Sequence, residues 1–188
     1  MKYRFIIWCC IFFICFAIKG CEPIKTKLSD GELKWINIYR AGDSLIFKSQ
    51  NGEFDTSFIV KSLVYYPEYI PIEVHNKYLP QEGVVLYKNK NLKYHSDSSQ
   101  LVHIAKEYPN KETRLFIQYL SSQVIILDLT NGTVEKMKKG KIYEFDTFDP
   151  KSKATDPKKI FWHEDYGVIK YITHEDVIWE RVNLSNLD

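Results

Sequence analysis

Hydrophobic and polar residues follow a helical period near the start of the chain and a period of two over most of its length. Residues 29–32, Ser-Asp-Gly-Glu, match the pattern of a capping box, and Leu28 and Leu33 have the spacing of a hydrophobic staple around it. This pattern predicts one short helix over residues 30–38, which ends before Gly42.

Strand patterns dominate from Leu45 onward. Asn51-Gly52 has the composition of a type I′ hairpin turn between a strand that begins at Leu45 and a second strand over residues 54–66. Helix patterns are scarce after residue 40, and residues 99–108 are the one ambiguous stretch. The chain is therefore expected to be all-β, a mainly antiparallel sheet in a barrel or sandwich, with one short N-terminal helix. Further strands are predicted where β-branched and aromatic residues cluster, over residues 84–88, 114–120, 124–129, 141–147, 160–162, 167–173 and 177–182.

Two longer stretches that contain proline, residues 67–83 and 146–159, interrupt the strand pattern. Long loops in a compact domain are often functional or mobile. Aromatic side chains beside the first stretch can stack on a sugar or line the mouth of a small-molecule site, or they can lie at the margin of the core. The candidate ligand-contact residues are Tyr65, Tyr66, Tyr69 and Tyr78.

Residues 1–20 differ in character from the rest of the chain. Lys2 and Arg4 precede an unbroken apolar run over residues 5–18, which is the arrangement of an export signal. A membrane-spanning helix needs about 20 apolar residues, so this run is too short for one. The leader is therefore expected to direct export and to be removed afterwards.

The end of the leader, Ile18-Lys19-Gly20-Cys21, resembles the lipobox of bacterial lipoproteins. In that family a dedicated peptidase cuts ahead of a lipid-modified cysteine, so the resemblance implies cleavage after Gly20 and acylation of Cys21. Lys19 departs from the small residue that is usual at its position. The alternative is ordinary secretion, with cleavage after Ala17 or Gly20 and a free Cys21 thiol.

The predicted organisation has three parts: a lipoprotein signal peptide at residues 1–20, a tether at residues 21–28 and a single β-rich domain at residues 29–188. Hydrophobic residues make up 45% of the chain and aromatic residues 15%, which is typical of a folded protein. Three of the four cysteines lie in the leader, so no disulfide is predicted in the mature chain.

The charge of the mature chain is close to neutral. Removing the leader lowers the formal net charge from +2 to −1, because the leader contains three basic residues and no acidic one. A basic patch large enough for nucleic acid would give a clearly positive domain. Nucleic-acid binding is therefore not expected.

Residues near both ends of the predicted domain resemble those of small lipoproteins common in Bacteroidota. They are mostly strand and turn residues, so the resemblance implies a cell-envelope location and a β fold, and it implies no activity. The residues concerned are Trp35, Tyr39, Gly42, Asp43, Leu45, Phe47, Gly52, Gly167, Tyr171, Trp179, Glu180 and Arg181.

The tripeptide His-Glu-Asp occurs twice, at residues 163–165 and 174–176, and offers imidazole and carboxylate ligands to a metal. If residues 167–173 form one strand, the two tripeptides lie at its opposite ends, over about 30 Å apart at 3.3 Å per residue. The other three histidines lack a second ligand at metal-binding spacing. The sequence also lacks nucleophile-elbow and phosphate-loop patterns, so no catalytic residue, metal or cofactor is predicted.

Lysines cluster at residues 136–141, after the turn pattern Asn131-Gly132. Such a cluster can meet lipid phosphates or an acidic partner. It can also be a charged sheet edge that discourages aggregation, which is the preferred interpretation.

Together these patterns predict a cell-envelope lipoprotein whose partner is a membrane, reached through acyl chains on Cys21. Glu22 stands where an aspartate resembles an inner-membrane retention signal in some bacteria, which favours the outer membrane. The domain is expected to be a non-enzymatic module that binds an envelope protein, a glycan or a lipid. The alternative is a lipocalin-like carrier of a small apolar ligand.

Overall fold

The structure, a computed structural model, describes residues 22–69, 77–90, 98–111, 113–120, 122–126, 142–147, 153–182 and 184. The predicted signal peptide, the predicted lipidation site Cys21 and the lysine cluster at residues 136–141 lie outside these ranges. Within them, no helix has the length and apolar character needed to cross a membrane.

The predicted helix is present as α1 (Asp30–Asn37), and its capping box is confirmed. Glu32 Oε2 accepts a hydrogen bond from the backbone N–H of Ser29 at 2.7 Å, while Ser29 Oγ accepts one from the backbone N–H of Glu32 at 3.3 Å. These bonds satisfy amide groups that a helix N-terminus leaves without intrahelical partners. Trp35 and Ile36 are the buried residues of the helix.

The twelve described strands form two sheets. A short parallel pair consists of β1 (Ile24–Lys25) and β4 (Tyr78–Leu79). The other ten strands form one antiparallel sheet: β2 (Ser44–Ser49), β3 (Phe54–Tyr65), β5 (Glu82–Asn89), β6 (Ser99–Ala105), β7 (Arg114–Tyr119), β8 (Ser122–Ile126), β9 (Ile142–Asp146), β10 (Pro157–His163), β11 (Gly167–Thr173) and β12 (Ile178–Arg181).

The predicted fold class, a mainly antiparallel sheet with one short helix, is confirmed. The strand order in the large sheet is β8-β7-β6-β5-β3-β2-β12-β11-β10-β9, and the sheet curls as a half-barrel rather than stacking as a sandwich. The ambiguous residues 99–108 contain a strand, β6, and β11 has the predicted bounds. Pro157, expected in the second long loop, begins β10 instead.

The prediction of a type I′ turn between β2 and β3 is wrong. A type I′ turn requires positive φ at both central residues, but only Gly52 has it here, at +87°. The backbone N–H of Gly52 donates to Ser49 O at 2.9 Å, and that of Glu53 donates to Ser49 Oγ at 3.0 Å. Because the Ser49 side chain binds the turn amides, the hairpin closes with a three-residue loop that ends in a left-handed glycine.

The sheet curls around α1. α1 packs against β5 and β6, with Ile36 at the position of Gly83 on β5, while the Trp35 ring lies 5.2 Å from that of Trp162 on β10. β6 and β10 are six positions apart in the sheet, about 29 Å if it were flat, whereas an eight-residue helix is only about 12 Å long. One short helix contacts both strands because it lies on the concave face.

The first described residues also pack on the domain. Ile24 N donates to Lys77 O at 2.9 Å and Thr26 N donates to Leu79 O at 3.0 Å, which pairs β1 with β4. Leu28 N donates to the side chain of Gln81 at 2.9 Å. The segment predicted as a tether is therefore held against the domain from Ile24 onward.

Candidate functional site

A cleft of about 820 Å³ opens at the N-terminal end of α1. It is lined by the helix N-terminus and the segment before it, by residues that follow β6 and by the start of β9. Its walls are both polar and aromatic. The lining residues are Lys27, Leu28, Ser29, Asp30, Gly31, Glu32, Trp35, Lys106, Pro109, Thr113 and Tyr143.

The Glu32 carboxylate accepts several hydrogen bonds at this cleft. It accepts hydrogen bonds from Ser29, from Lys106 Nζ at 2.9 Å and from the Thr113 hydroxyl. Burial raises the pKa of Glu32, but the hydrogen bonds from Ser29 and Lys106 outweigh burial, so its pKa lies below the ordinary value. Glu32 is therefore a carboxylate that joins the helix to the segment after β6.

Aromatic rings form the other wall of the cleft. The rings of Trp35 and Tyr143 are 5.5 Å apart, and Trp35 also contacts Trp162. A smaller cleft of about 60 Å³ continues along the helix past Gly31 to the ion pair of Lys34 with Glu164, whose atoms are 3.0 Å apart. Aromatic faces beside a few fixed polar groups suit binding of a ligand.

The structure brings only some of the four candidate tyrosines together. Tyr66 and Tyr78 lie at the N-terminal segment, where the Tyr66 hydroxyl donates to Thr26 O at 3.0 Å and Tyr78 pairs with Ile24. Tyr65 ends β3 and donates to Glu82 at 2.9 Å. Burial is the main cause that raises the pKa of Tyr65, and the hydrogen bond to Glu82 and the charge of Glu82 raise it further.

Tyr69, the fourth candidate, is described four residues beyond the end of β3. A ligand role for the four tyrosines stays a prediction. The ring of Tyr78 packs edge-on against that of Tyr108, 5.7 Å away, and Tyr108 is not among the residues predicted from the sequence. Its position between a strand and Pro109 carries no motif, so only the fold relates it to Tyr78.

A buried polar network lies on the concave face. Asp55 accepts hydrogen bonds from the hydroxyls of Tyr119 at 3.3 Å and Tyr171 at 3.1 Å, and from the Asn89 amide at 2.9 Å. Asn89 also donates to Ser57 Oγ at 2.7 Å. No sequence motif predicts this network, although Asp55 and Ser57 occupy inward positions of an alternating strand.

The two His-Glu-Asp tripeptides lie at opposite ends of the β10–β11 hairpin, as predicted. His163 pairs with Gly167 at one end of the hairpin, whereas Thr173, just before the second tripeptide, pairs with Pro157 at the other. His103 instead contacts Glu82, with 3.3 Å between Nε2 and Oε2. Among the described residues, no three possible metal-ligating side chains come together.

Comparison of the chain with protein-family models, curated proteins and solved structures finds no match.

Proposed function

We propose that this chain is a cell-envelope lipoprotein, held at the membrane by acyl groups on Cys21, and that its domain is a non-enzymatic binding module. The export leader and the lipobox pattern around Cys21 support the anchor. The position of Glu22 after the cysteine favours the outer membrane over the inner one.

The observation that carries the proposal is the way in which the chain enters the domain. Residues 24–28 are hydrogen-bonded to the segment of β4 and Gln81, so only Glu22 and Pro23 separate Cys21 from the docked segment. A lipid on Cys21 would then hold the domain at the membrane by one defined end. Such a short connection suits a module that works at the membrane surface.

The cleft at the start of α1 supports a binding role. It opens at the same end of the sheet as the N-terminal segment, because Lys27 and Leu28 form part of its wall. The Glu32 carboxylate accepts hydrogen bonds from Ser29, Lys106 and Thr113, so it holds the parts of the cleft wall together. An envelope protein, a glycan or a lipid headgroup offers the mixed polar and apolar surface that this cleft suits.

The alternative, a lipocalin-like carrier, has less support. A carrier of this kind holds its ligand inside the barrel. Here α1 lies on the concave face with its Trp35 against Trp162, and the fully buried Tyr87 and Tyr119 belong to the same core. The binding module is therefore the preferred function.

To test the anchor, the full precursor is expressed in a bacterium that matures lipoproteins. The mass of the membrane-bound product is then measured by mass spectrometry. We expect a chain that begins at Cys21 and carries acyl groups. Cys21→Ser should abolish incorporation of labelled palmitate, whereas the control Cys15→Ser, in the leader, should keep it. An unmodified Cys21 thiol, or a leader still attached, would overturn the proposal.

A further inference from the structure

Three tyrosines with a lysine over each ring surround the N-terminal segment. Lys25 Nζ lies 5.2 Å from the centre of the Tyr66 ring, Lys77 Nζ lies 5.6 Å from that of Tyr78, and Lys111 Nζ lies 4.5 Å from that of Tyr108. Tyr78 and Tyr108 are also in ring contact. The tyrosine–lysine cluster is defined as Tyr66, Tyr78, Tyr108, Lys25, Lys77 and Lys111.

The cluster and the neighbouring Ile24 present apolar surface as well as charge. Ile24 is 49% exposed, although isoleucine is among the residues most often buried, and Tyr108 is 41% exposed. Tyrosine and lysine are amphipathic: each combines an apolar body with a polar end. Tyrosine is enriched where a membrane meets water, and lysine can bury its methylene stem while its amino group meets the phosphates.

The cluster also lies where the chain enters the domain. Ile24 and Lys25 are paired with Tyr78 and Leu79, and Thr26 donates through its hydroxyl to Lys106 O. Ile24 is three residues after Cys21, so an extended chain spans at most about 11 Å between them. The polar headgroup layer on each side of a bilayer is roughly 5–8 Å thick. An acyl chain on Cys21 therefore brings the cluster to the headgroups.

We infer that the tyrosine–lysine cluster and Ile24 form a membrane-contact surface that seats this end of the domain among phospholipid headgroups and fixes its orientation. This inference rests on the proposed acylation of Cys21. The three lysines favour anionic lipid. In this orientation the turn at Asn51 points away from the membrane, because the twelve residues of β3 extend about 40 Å from one end of the sheet to the other.

The test expresses the full precursor in a bacterium that matures lipoproteins and reconstitutes the purified product into vesicles of phosphatidylethanolamine and phosphatidylglycerol. Three cysteines leave with the leader and Cys21 is acylated, so an introduced cysteine is the only free thiol. Asn110→Cys places a fluorescent label between Tyr108 and Lys111, whereas Asn51→Cys places it in the β2–β3 turn. Both positions are exposed asparagines, which makes them a matched pair.

The readout is quenching by a lipid that carries a nitroxide on its headgroup. We expect the label at residue 110 to be quenched at least threefold more strongly than the label at residue 51. Replacing Tyr108 and Lys111 with alanine in the Asn110→Cys chain should reduce that quenching by half or more. The control replaces Lys48 and Phe54, another lysine–ring pair, next to the β2–β3 turn, and should leave it unchanged.

The two proposals fail in different ways. If the labelled chain does not float with the vesicles, the anchor at Cys21 is refuted. If it floats but the labels at residues 110 and 51 are quenched equally, the membrane-contact surface is refuted and the anchor stands. A cluster covered by a protein partner or by a second copy of this chain would give that second result.

Discussion

At the scale of single residues, one carboxylate, that of Asp55, joins the members of the buried polar network on the concave face. Asp55 is 2% exposed and accepts hydrogen bonds from Asn89, Tyr119 and Tyr171. A buried donor that loses its acceptor keeps the full cost of leaving water. Asp55 thus links β3 to β5, β7 and β11, which lie on both sides of it in the sheet.

Asp55→Ala should lower the free energy of unfolding by roughly 3 kcal/mol, because it leaves three buried donors without their acceptor. Urea denaturation followed by circular dichroism measures this loss. The control is Glu53→Ala, which removes the same charge from an exposed side chain two residues earlier and should cost no more than about 0.5 kcal/mol. Equal losses in the two variants would contradict the structural role of Asp55.

Gly167 adopts a left-handed φ of +72°, and an added Cβ would lie 2.0 Å from the Tyr39 hydroxyl oxygen. The Tyr39 ring cannot move easily, because its oxygen accepts a hydrogen bond from Val168 N at 3.0 Å and it packs on Trp162. Gly167→Ala therefore combines backbone strain with a clash.

We expect Gly167→Ala to cost several kcal/mol. Gly52→Ala is the control, because Gly52 has a similar φ of +87° and open space around it. That variant should cost only about 1–2 kcal/mol, the strain of the left-handed backbone alone. Thermal melting compares the two, and equal shifts in the melting temperature would show that Tyr39 yields to the new methyl group.

At the scale of elements, Glu32 joins α1 to the sheet. Glu32→Gln weakens the bonds to Ser29 and Lys106 and should destabilise the chain by roughly 1–2 kcal/mol near neutral pH. The folded chain holds the pKa of Glu32 below its ordinary value of 4.5. The carboxylate therefore contributes its full stability above about pH 4.5 and loses it as the pH falls through the lowered pKa.

The measurement is urea denaturation of the wild type and Glu32→Gln at pH 7 and pH 3. The difference in unfolding free energy between the two chains should shrink at pH 3. Ser29→Ala serves as the comparison, since it removes a cap hydroxyl and keeps the carboxylate. A difference for Glu32→Gln that is the same at both pH values would contradict the assigned role.

Elements held by neighbouring residues were predictable from the sequence. Ser29 and Glu32 cap α1 through contacts three residues apart, and the polar turns on either side of β11 mark its bounds. β6 was ambiguous because Leu101, Val102, Ile104 and Ala105 are all buried, so that strand lacks the regular alternation of a half-exposed one. The turn type was wrong because the side chain of Ser49 selected a longer loop.

The candidate site was less predictable, because its contacts join residues far apart in the chain. Lys106 meets Glu32 across 74 positions, and Tyr66 meets Thr26 across 40. Lysine and tyrosine side chains have no pattern that identifies such partners in advance. The sequence indicated Tyr66 and Tyr78 beside the first long loop, whereas only the fold relates them to Tyr108 and to Lys25.

At the scale of the whole molecule, two halves of one sheet meet in the middle. β2 pairs with β12 near the other end of the chain, with Phe47 opposite Arg181. Rings from both halves share the core: the Phe47 ring lies 5.5 Å from that of Tyr119 and 5.3 Å from that of Tyr171. The two halves of the half-barrel therefore share one core.

The buried tyrosines make the stability of the whole domain sensitive to alkaline pH. Burial is the main cause that raises the pKa of Tyr39, Tyr87, Tyr119 and Tyr171 far above the ordinary value of 10. As the pH rises above about 10, the unfolded chain releases these phenolic protons while the folded chain retains them. The domain should therefore be fully stabilised below pH 10 and lose stability above it, by about 1.4 kcal/mol per pH unit for each such tyrosine.

Urea midpoints at pH 9, 10 and 11 measure that alkaline slope. Tyr171→Phe and Tyr87→Phe each remove one retained proton, so each variant should lose stability less steeply above pH 10 than the wild type, whatever its stability at neutral pH. A double variant should have the shallowest slope, because the retained protons add when each group stays neutral in the folded chain. Slopes that match the wild type in all three variants would mean that these phenols ionise in the folded domain, and the aromatic interior would then be open to water.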